Sequence, residues 1–186
     1  ELSGLLCGLK MVLKIGFWRS LFSIIPSNYI VFGYKPQKNN KTAVTKTAFG
    51  VTLFSPAISR TYVLKYSKNG YYADFESTIN AIKKYGSSIF PLNFIGFPSY
   101  TYFILKTMDE KNIKLKLRKG SKLMLGGGWK QFYKEKVDKE VLYKLAKKVL
   151  NIEEENIIEF FGAVEHPILY CDCKNHHFHI PTYSRV

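Results

Sequence analysis

A chain of 186 residues with 46% hydrophobic and 16% aromatic content is long enough for one domain with a real core, which excludes a disordered tail or a disulfide-dependent miniprotein. Three cysteines, an odd number, fit a reducing compartment, so the cytoplasm is the expected location. A net charge of +14 invites a nucleic-acid reading, yet the lysines spread over Lys35–Lys46, Lys83 and Lys84, Lys111–Lys122 and Lys130–Lys148 with no arginine-aromatic module. They read as a solvated basic surface and no nucleic-acid partner is expected, with a basic nucleic-acid-binding module as an alternative reading of the charge.

The chain opens on an apolar stretch that Lys10, Lys14 and Arg19 interrupt well short of the ~20 clean residues a membrane span needs. Leu5, Leu6, Leu9, Val12 and Leu13 recur at helical spacing, which predicts an amphipathic helix. The stretch lacks the basic start and small-residue cleavage site of a signal peptide. The polar, turn-rich "GYKPQKNNKT" (Gly33–Thr42) reads as a linker, so 1–42 is expected to be a helical section and linker, and 43–186 an α/β section. "AFGVTLF" (Ala48–Phe54) and "RTYVLKY" (Arg60–Tyr66) are aromatic and β-branched enough to predict strands. Asp74 then caps a helix running to about Tyr85.

From Pro91 the pattern sharpens into strand-then-helix units. "LNFIGF" is a strand, and Pro98 opens a helix with Tyr100, Phe103, Ile104 and Met108 on one face. "KLMLGGG" is the next strand. Asp138 caps a helix with Val137, Val141, Leu145 and Val149 in one row and Leu142, Ala146 and Leu150 in the next. "NIIEFFGAVE" is a third strand. Apolar runs without polar alternation, joined by helices, predict an α/β fold with a largely parallel sheet and flanking helices.

In such sheets ligands sit beyond the carboxyl ends of the strands. Three ends carry glycine: Gly96-Phe97-Pro98, Gly126-Gly127-Gly128 and Gly162-Ala163-Val164-Glu165. Each glycine motif alone reads as easily as a structural turn; three at equivalent positions point to a site. Phe97 and Tyr100 read equally as pocket wall or plain core, and Trp129 as packing. Glu165 beside His166 admits a metal-binding, an acid-base or a solvent-facing role. Near the carboxyl end, "CDCKNHHFHIP" admits three readings: a strand and hairpin without metal, a half or full zinc site, or a catalytic cluster.

Taken together, "FIGFPSYTYFIL", "LMLGGGWKQF", "IIEFFGAVEHP" and "CDCKNHHFHIP" resemble the LuxE-type acyl-protein synthetases, in the phenylacetate-CoA ligase-like branch of the adenylate-forming enzymes. The resemblance is close in the second half of the chain and loose in the first. It implies the large N-terminal domain of an enzyme that activates a carboxylic acid with ATP and magnesium, then passes the acyl group to a protein thiol; an acyl-CoA ligase is the alternative. On this resemblance the aromatic-Gly-x-Thr-Glu motif falls on Phe161, Gly162, Ala163, Val164 and Glu165, with Phe161 near the adenine and Glu165 on the magnesium. Gly126, Gly127 and Gly128 line the adenine and acyl group, and Gly96, Phe97 and Tyr100 form the acyl pocket wall. Cys173 and His179 stand where relatives hold half of a structural zinc site. Phe161 replaces the commoner Tyr, and Val164 replaces the Thr that contacts the α-phosphate. The upstream phosphate loop and the downstream catalytic lysine and acyl-accepting cysteine are not in these residues, and the chain starts on Glu1, so it reads as an internal fragment.

Overall fold

The computed structural model describes residues 21–36, 48–67, 70–163 and 166–180. Within them the strands are β1 (Ser27–Tyr34), β2 (Ala57–Ser67), β3 (Gly70–Ala73), β4 (Leu92–Gly96), β5 (Leu123–Gly126), β6 (Ile157–Ala163) and β7 (His166–Cys171). The long helices are α1 (Phe75–Gly86), α2 (Pro98–Glu110) and α3 (Lys139–Leu150). One seven-stranded sheet runs in the order β3-β2-β1-β4-β5-β6-β7. Its five inner strands are parallel, and the edge strands β3 and β7 are antiparallel. This is the expected α/β architecture, a largely parallel sheet with flanking helices.

Both faces of the inner strands are covered, which is why their sequences are apolar runs. On one face Ile30, Phe32, Phe94, Leu123, Leu125 and Ile157 pack against Ile79 and Ile82 of α1, Ile104, Leu105 and Met108 of α2, and Ala146, Val149 and Leu150 of α3. The other face is a smaller cluster of Tyr29, Val31, Ile95, Met124, Ile158 and Cys171, joined by Leu21 and Val51. Among the described residues no helix is long and apolar enough to cross a membrane.

Local chemistry sets the helix bounds. The Asp74 carboxylate accepts the Ser77 amide at 3.0 Å, so α1 begins where the sequence indicated. Pro98 opens α2. Asp138 occupies the N-cap of α3 without a side-chain capping bond, and Asn151 ends that helix in the left-handed region at φ +54°.

Four expectations need correction. "SNYIVFGY", assigned to a helical section and linker, is β1, which pairs with β2 on one side and β4 on the other. Ala48–Phe54, expected to be a strand, winds into a helical turn in the β1–β2 connection, closed by Thr52 N–H to Phe49 O at 3.0 Å and Leu53 N–H to Gly50 O at 3.0 Å. Parallel neighbours require a crossover that leaves the sheet, and this segment lies in it. In α3 the buried side chains are Leu142, Tyr143, Ala146, Val149 and Leu150, while Val141 faces solvent. In α2 the buried face is Thr101, Ile104, Leu105 and Met108, leaving Tyr100 and Phe103 only half-buried. The expected amphipathic helix of Leu5–Leu13 lies outside the described residues.

Candidate active site

The chain order reverses between β1 and β4, because β1 leads outward to β2 on one side while β4, β5 and β6 build the other. A crevice at the carboxyl ends of two such strands is the general ligand position of open α/β sheets. The registers Phe32↔Gly96, Gly96↔Leu125 and Gly126↔Phe160 put the ends of β1, β4, β5 and β6 at one level. Neighbouring strands lie ~4.8 Å apart, so Gly96, Gly126 and Phe160 span about 10 Å of one sheet edge. The three glycine-bearing ends singled out in the sequence are therefore neighbours in space.

The glycines are held for different reasons. Gly96 has φ +135°, and a Cβ there would meet Phe32 O at 2.6 Å, so close approach of β4 to β1 requires a residue without a side chain. Gly127 and Gly128 have φ of +81° and +68°, and a Cβ on Gly128 would meet nothing within 4 Å. The Gly127-Gly128 turn thus presents bare backbone to open space, whereas Gly96 is fixed by its neighbour strand.

An aromatic wall stands beside these ends. Phe97 lies 6.1 Å from Tyr100, Tyr100 lies 5.5 Å edge-on to Phe132, and Phe103 lies 5.0 Å edge-on to the same ring. Phe132 comes from a 3-10 segment, Lys130–Glu135, that follows β5 and closes over the outer face of α2. Burial, with the neighbouring Tyr34 phenol second, raises the Tyr100 hydroxyl above its ordinary pKa. Tyr34, at the end of β1, falls in the expected linker, and Phe132, the last residue of "LMLGGGWKQF", has no role assigned by the resemblance. Trp129 packs 5.7 Å from Tyr102 and is buried.

At the end of β6, Phe161 and Gly162 are exposed, and the Phe161 ring approaches Tyr170 at 6.1 Å and Phe178 at 6.4 Å. Ala163 pairs with His166 through the backbone. Val164 and Glu165 lie outside the described residues.

The residues after β7 form a tight return. His176 N–H reaches Cys173 O and Cys173 N–H reaches His177 O, both at 2.9 Å, and Asp172 bridges to Phe178. A polar brace ties this return to β6 and α3. The fully buried Asp172 carboxylate accepts the Glu159 amide at 3.0 Å and lies 2.7 Å from His176 Nδ1. Tyr143 donates to Glu159 Oε1 at 2.9 Å, and Lys139 donates to Glu159 Oε2 at 2.7 Å. Burial, then the Glu159 carboxylate, pushes the Tyr143 hydroxyl well above its ordinary pKa. No sequence pattern marked this brace, because its members come from three separate elements.

Cys173 and His179 do meet. Burial pushes the Cys173 thiol up, but the hydrogen bond with His179 and those with the backbone at His177 and Asn175 outweigh it, leaving its pKa below the ordinary value. A thiolate and an imidazole are donors of the type zinc takes, although four are the rule and among the described residues no group of three or more His, Cys, Asp or Glu is placed to hold a metal.

The profile of the acyl-protein synthetase LuxE family matches residues 19–186, nearly the whole chain. A long-chain-fatty-acid–luciferin-component ligase from Aliivibrio fischeri is 26% identical over 116 residues, which cover 61% of this chain. The chain spans about a third of that relative's length, since the matched stretch is 31% of it. Taken with the glycine-bearing strand ends at one sheet edge, the family match identifies the chain as a member of the acyl-protein synthetase LuxE family.

Proposed function

We propose that this chain is the acyl- and nucleotide-binding part of the large domain of an ATP-dependent ligase that activates a long-chain carboxylic acid and transfers it to a protein thiol. The observation that carries the reading is the alignment of Gly96, Gly126 and Phe160 on three adjacent parallel strands at the ligand-binding edge. The substrate class follows the printed function of the Aliivibrio relative, and the acceptor class follows the family's description.

In this scheme a carboxylate oxygen attacks the α-phosphorus of ATP, the bond to the bridging oxygen breaks, and pyrophosphate leaves with the electron pair. The acceptor thiolate then attacks the acyl carbonyl, and AMP departs. The exposed Phe161 ring and Gly162 backbone offer a face for the adenine, and the bare backbone of Gly127 and Gly128 lets nucleotide and acyl group approach. Gly96, Phe97 and Tyr100 form the acyl wall, completed by Phe132. Magnesium, assigned to Glu165 on the family resemblance alone, would offset charge on the phosphoryl oxygens. Cys173 and His179 would supply two ligands of a zinc shared with further chain. The odd cysteine count suits the cytoplasmic placement of this reading.

The test is a pair of assays. The 186-residue chain alone catalyses no carboxylate-dependent exchange of pyrophosphate into ATP; robust exchange would show that the missing phosphate-binding elements are not needed. In a full-length enzyme carrying these residues, Glu165→Gln removes the charge a hard cation needs and lowers adenylate formation ~10²-fold, while transfer from presynthesised acyl-adenylate changes little. Normal adenylation with failed transfer would reject Glu165 as the magnesium ligand.

A further inference from the structure

At the opposite edge of the sheet, where β1, β4 and β5 begin, the chemistry is of another kind. A groove there is lined by Ile25, by the turn carrying Ile89 and Phe90, and by the segment carrying Lys116, Arg118 and Lys119; no Asp or Glu lines it. Two turns project from its rim. Ile24 is 93% exposed, Ile89 71% and Ile25 55%. Lys116, Arg118 and Lys119 are exposed, and none has an ion-pair partner among the described residues.

We propose that this edge is a docking surface for an anionic lipid bilayer, with Ile24, Ile25 and Ile89 entering the acyl-chain boundary and Lys116, Arg118 and Lys119 reaching the headgroup phosphates. A single exposed isoleucine needs no explanation; several on adjoining turns, beside exposed cations with no ion-pair partner among the described residues and with no carboxylate lining the groove, form a patch of defined chemistry. A protein partner is the less suited occupant. Protein interfaces are anchored by Trp, Tyr and Arg seated in pockets and are depleted in Lys, whereas here the projecting groups are aliphatic and two of the three cations are lysines. A bilayer takes both, because aliphatic tips partition into the boundary while lysine stems lie along it with the ammonium in the headgroup layer. Docking at this edge leaves the glycine loops at the other end open. The docking does not depend on the ATP chemistry proposed above and is tested without it.

The test is co-sedimentation of the 186-residue chain with vesicles of phosphatidylcholine, with and without about a third phosphatidylglycerol. Binding is expected to the anionic vesicles and to fall at least tenfold on pure phosphatidylcholine or on raising salt from ~0.1 M to ~0.5 M. Reversing Lys116, Arg118 and Lys119 to Glu weakens it by roughly fivefold or more per site, while Lys144→Glu on α3 changes it by no more than about twofold. Ile24→Ser with Ile89→Ser weakens it severalfold with unchanged circular dichroism. Absence of binding to anionic vesicles overturns the proposal. So does binding that survives the isoleucine replacements and is competed equally by heparin or oligonucleotide, which would mark the edge as a general polyanion surface. Capture of an acidic protein through the isoleucines with no vesicle binding would assign the edge to a protein partner instead.

Discussion

The two edges of the sheet teach opposite lessons about what a strand end can carry. At the carboxyl edge the surface is built from backbone: Gly96 is pressed against Phe32, Gly127 and Gly128 turn through the left-handed region, and aromatic rings stand around them. At the amino edge side chains dominate, with isoleucines on turn tips and exposed cations along one rim. Backbone-built surfaces tolerate few substitutions because their geometry is fixed by neighbouring strands. Side-chain-built surfaces tolerate many, because nothing packs behind the exposed groups.

The sharpest way to break this contrast is to add one methyl group. Gly96→Ala places a Cβ 2.6 Å from a backbone oxygen at φ +135°, and we expect a loss of about 3 kcal/mol or more in denaturant unfolding. Gly128→Ala meets open space and has only the conformational penalty of φ +68°, about 1 kcal/mol. Equal costs at the two positions would show that strand contact does not distinguish these glycines.

A smaller effect comes from the brace that ties β6 to α3 below the carboxyl edge. Tyr143→Phe removes the bond to Glu159 Oε1 and should cost about 1 kcal/mol. Because the folded state raises the Tyr143 pKa, it holds that proton more tightly than the unfolded chain does. The contribution is complete below the ordinary phenol range near ~10 and is lost as pH rises beyond it. Unfolding midpoints of the parent chain should therefore fall more than those of Tyr143→Phe between about pH 8.5 and 11. Parallel pH profiles would remove Tyr143 from the brace.

The smallest effect is expected at the amino edge. Lys116→Gln and Lys119→Gln should change stability by less than about 0.5 kcal/mol, since both side chains are exposed and neither has an ion-pair partner among the described residues. A loss near 2 kcal/mol in either would show that this rim also has a structural task.

Legibility varied along the chain for physical reasons. β4, α2, β5, α3 and β6 were readable because short apolar runs alternate with helical periodicity and capping residues at both ends of the repeat. β1 was not, because its apolar residues continue an apolar N-terminal stretch and nothing local marks its start. Ala48–Phe54 has strand composition yet forms a helical turn, since a crossover segment has no strand beside it to satisfy its amides. In the candidate site, Gly96, Gly126 to Gly128 and Phe161 to Gly162 stood out as glycines following strand-like runs. Tyr34 and Phe132 did not, and the Asp172–His176–Tyr143–Glu159 brace joins residues from β6, α3 and the return after β7.

By itself the sequence determined the α/β class, the glycine-bearing strand ends and the family to which the chain belongs, because these rest on local periodicity and short contiguous motifs. Tertiary structure alone decided that β1 lies inside the sheet between β2 and β4, that Gly96 answers to Phe32, and that exposed cations and isoleucines share the amino edge. Those facts depend on which strands become neighbours. Strand order is set by burial of both sheet faces across the whole domain, a condition that no short window of residues contains.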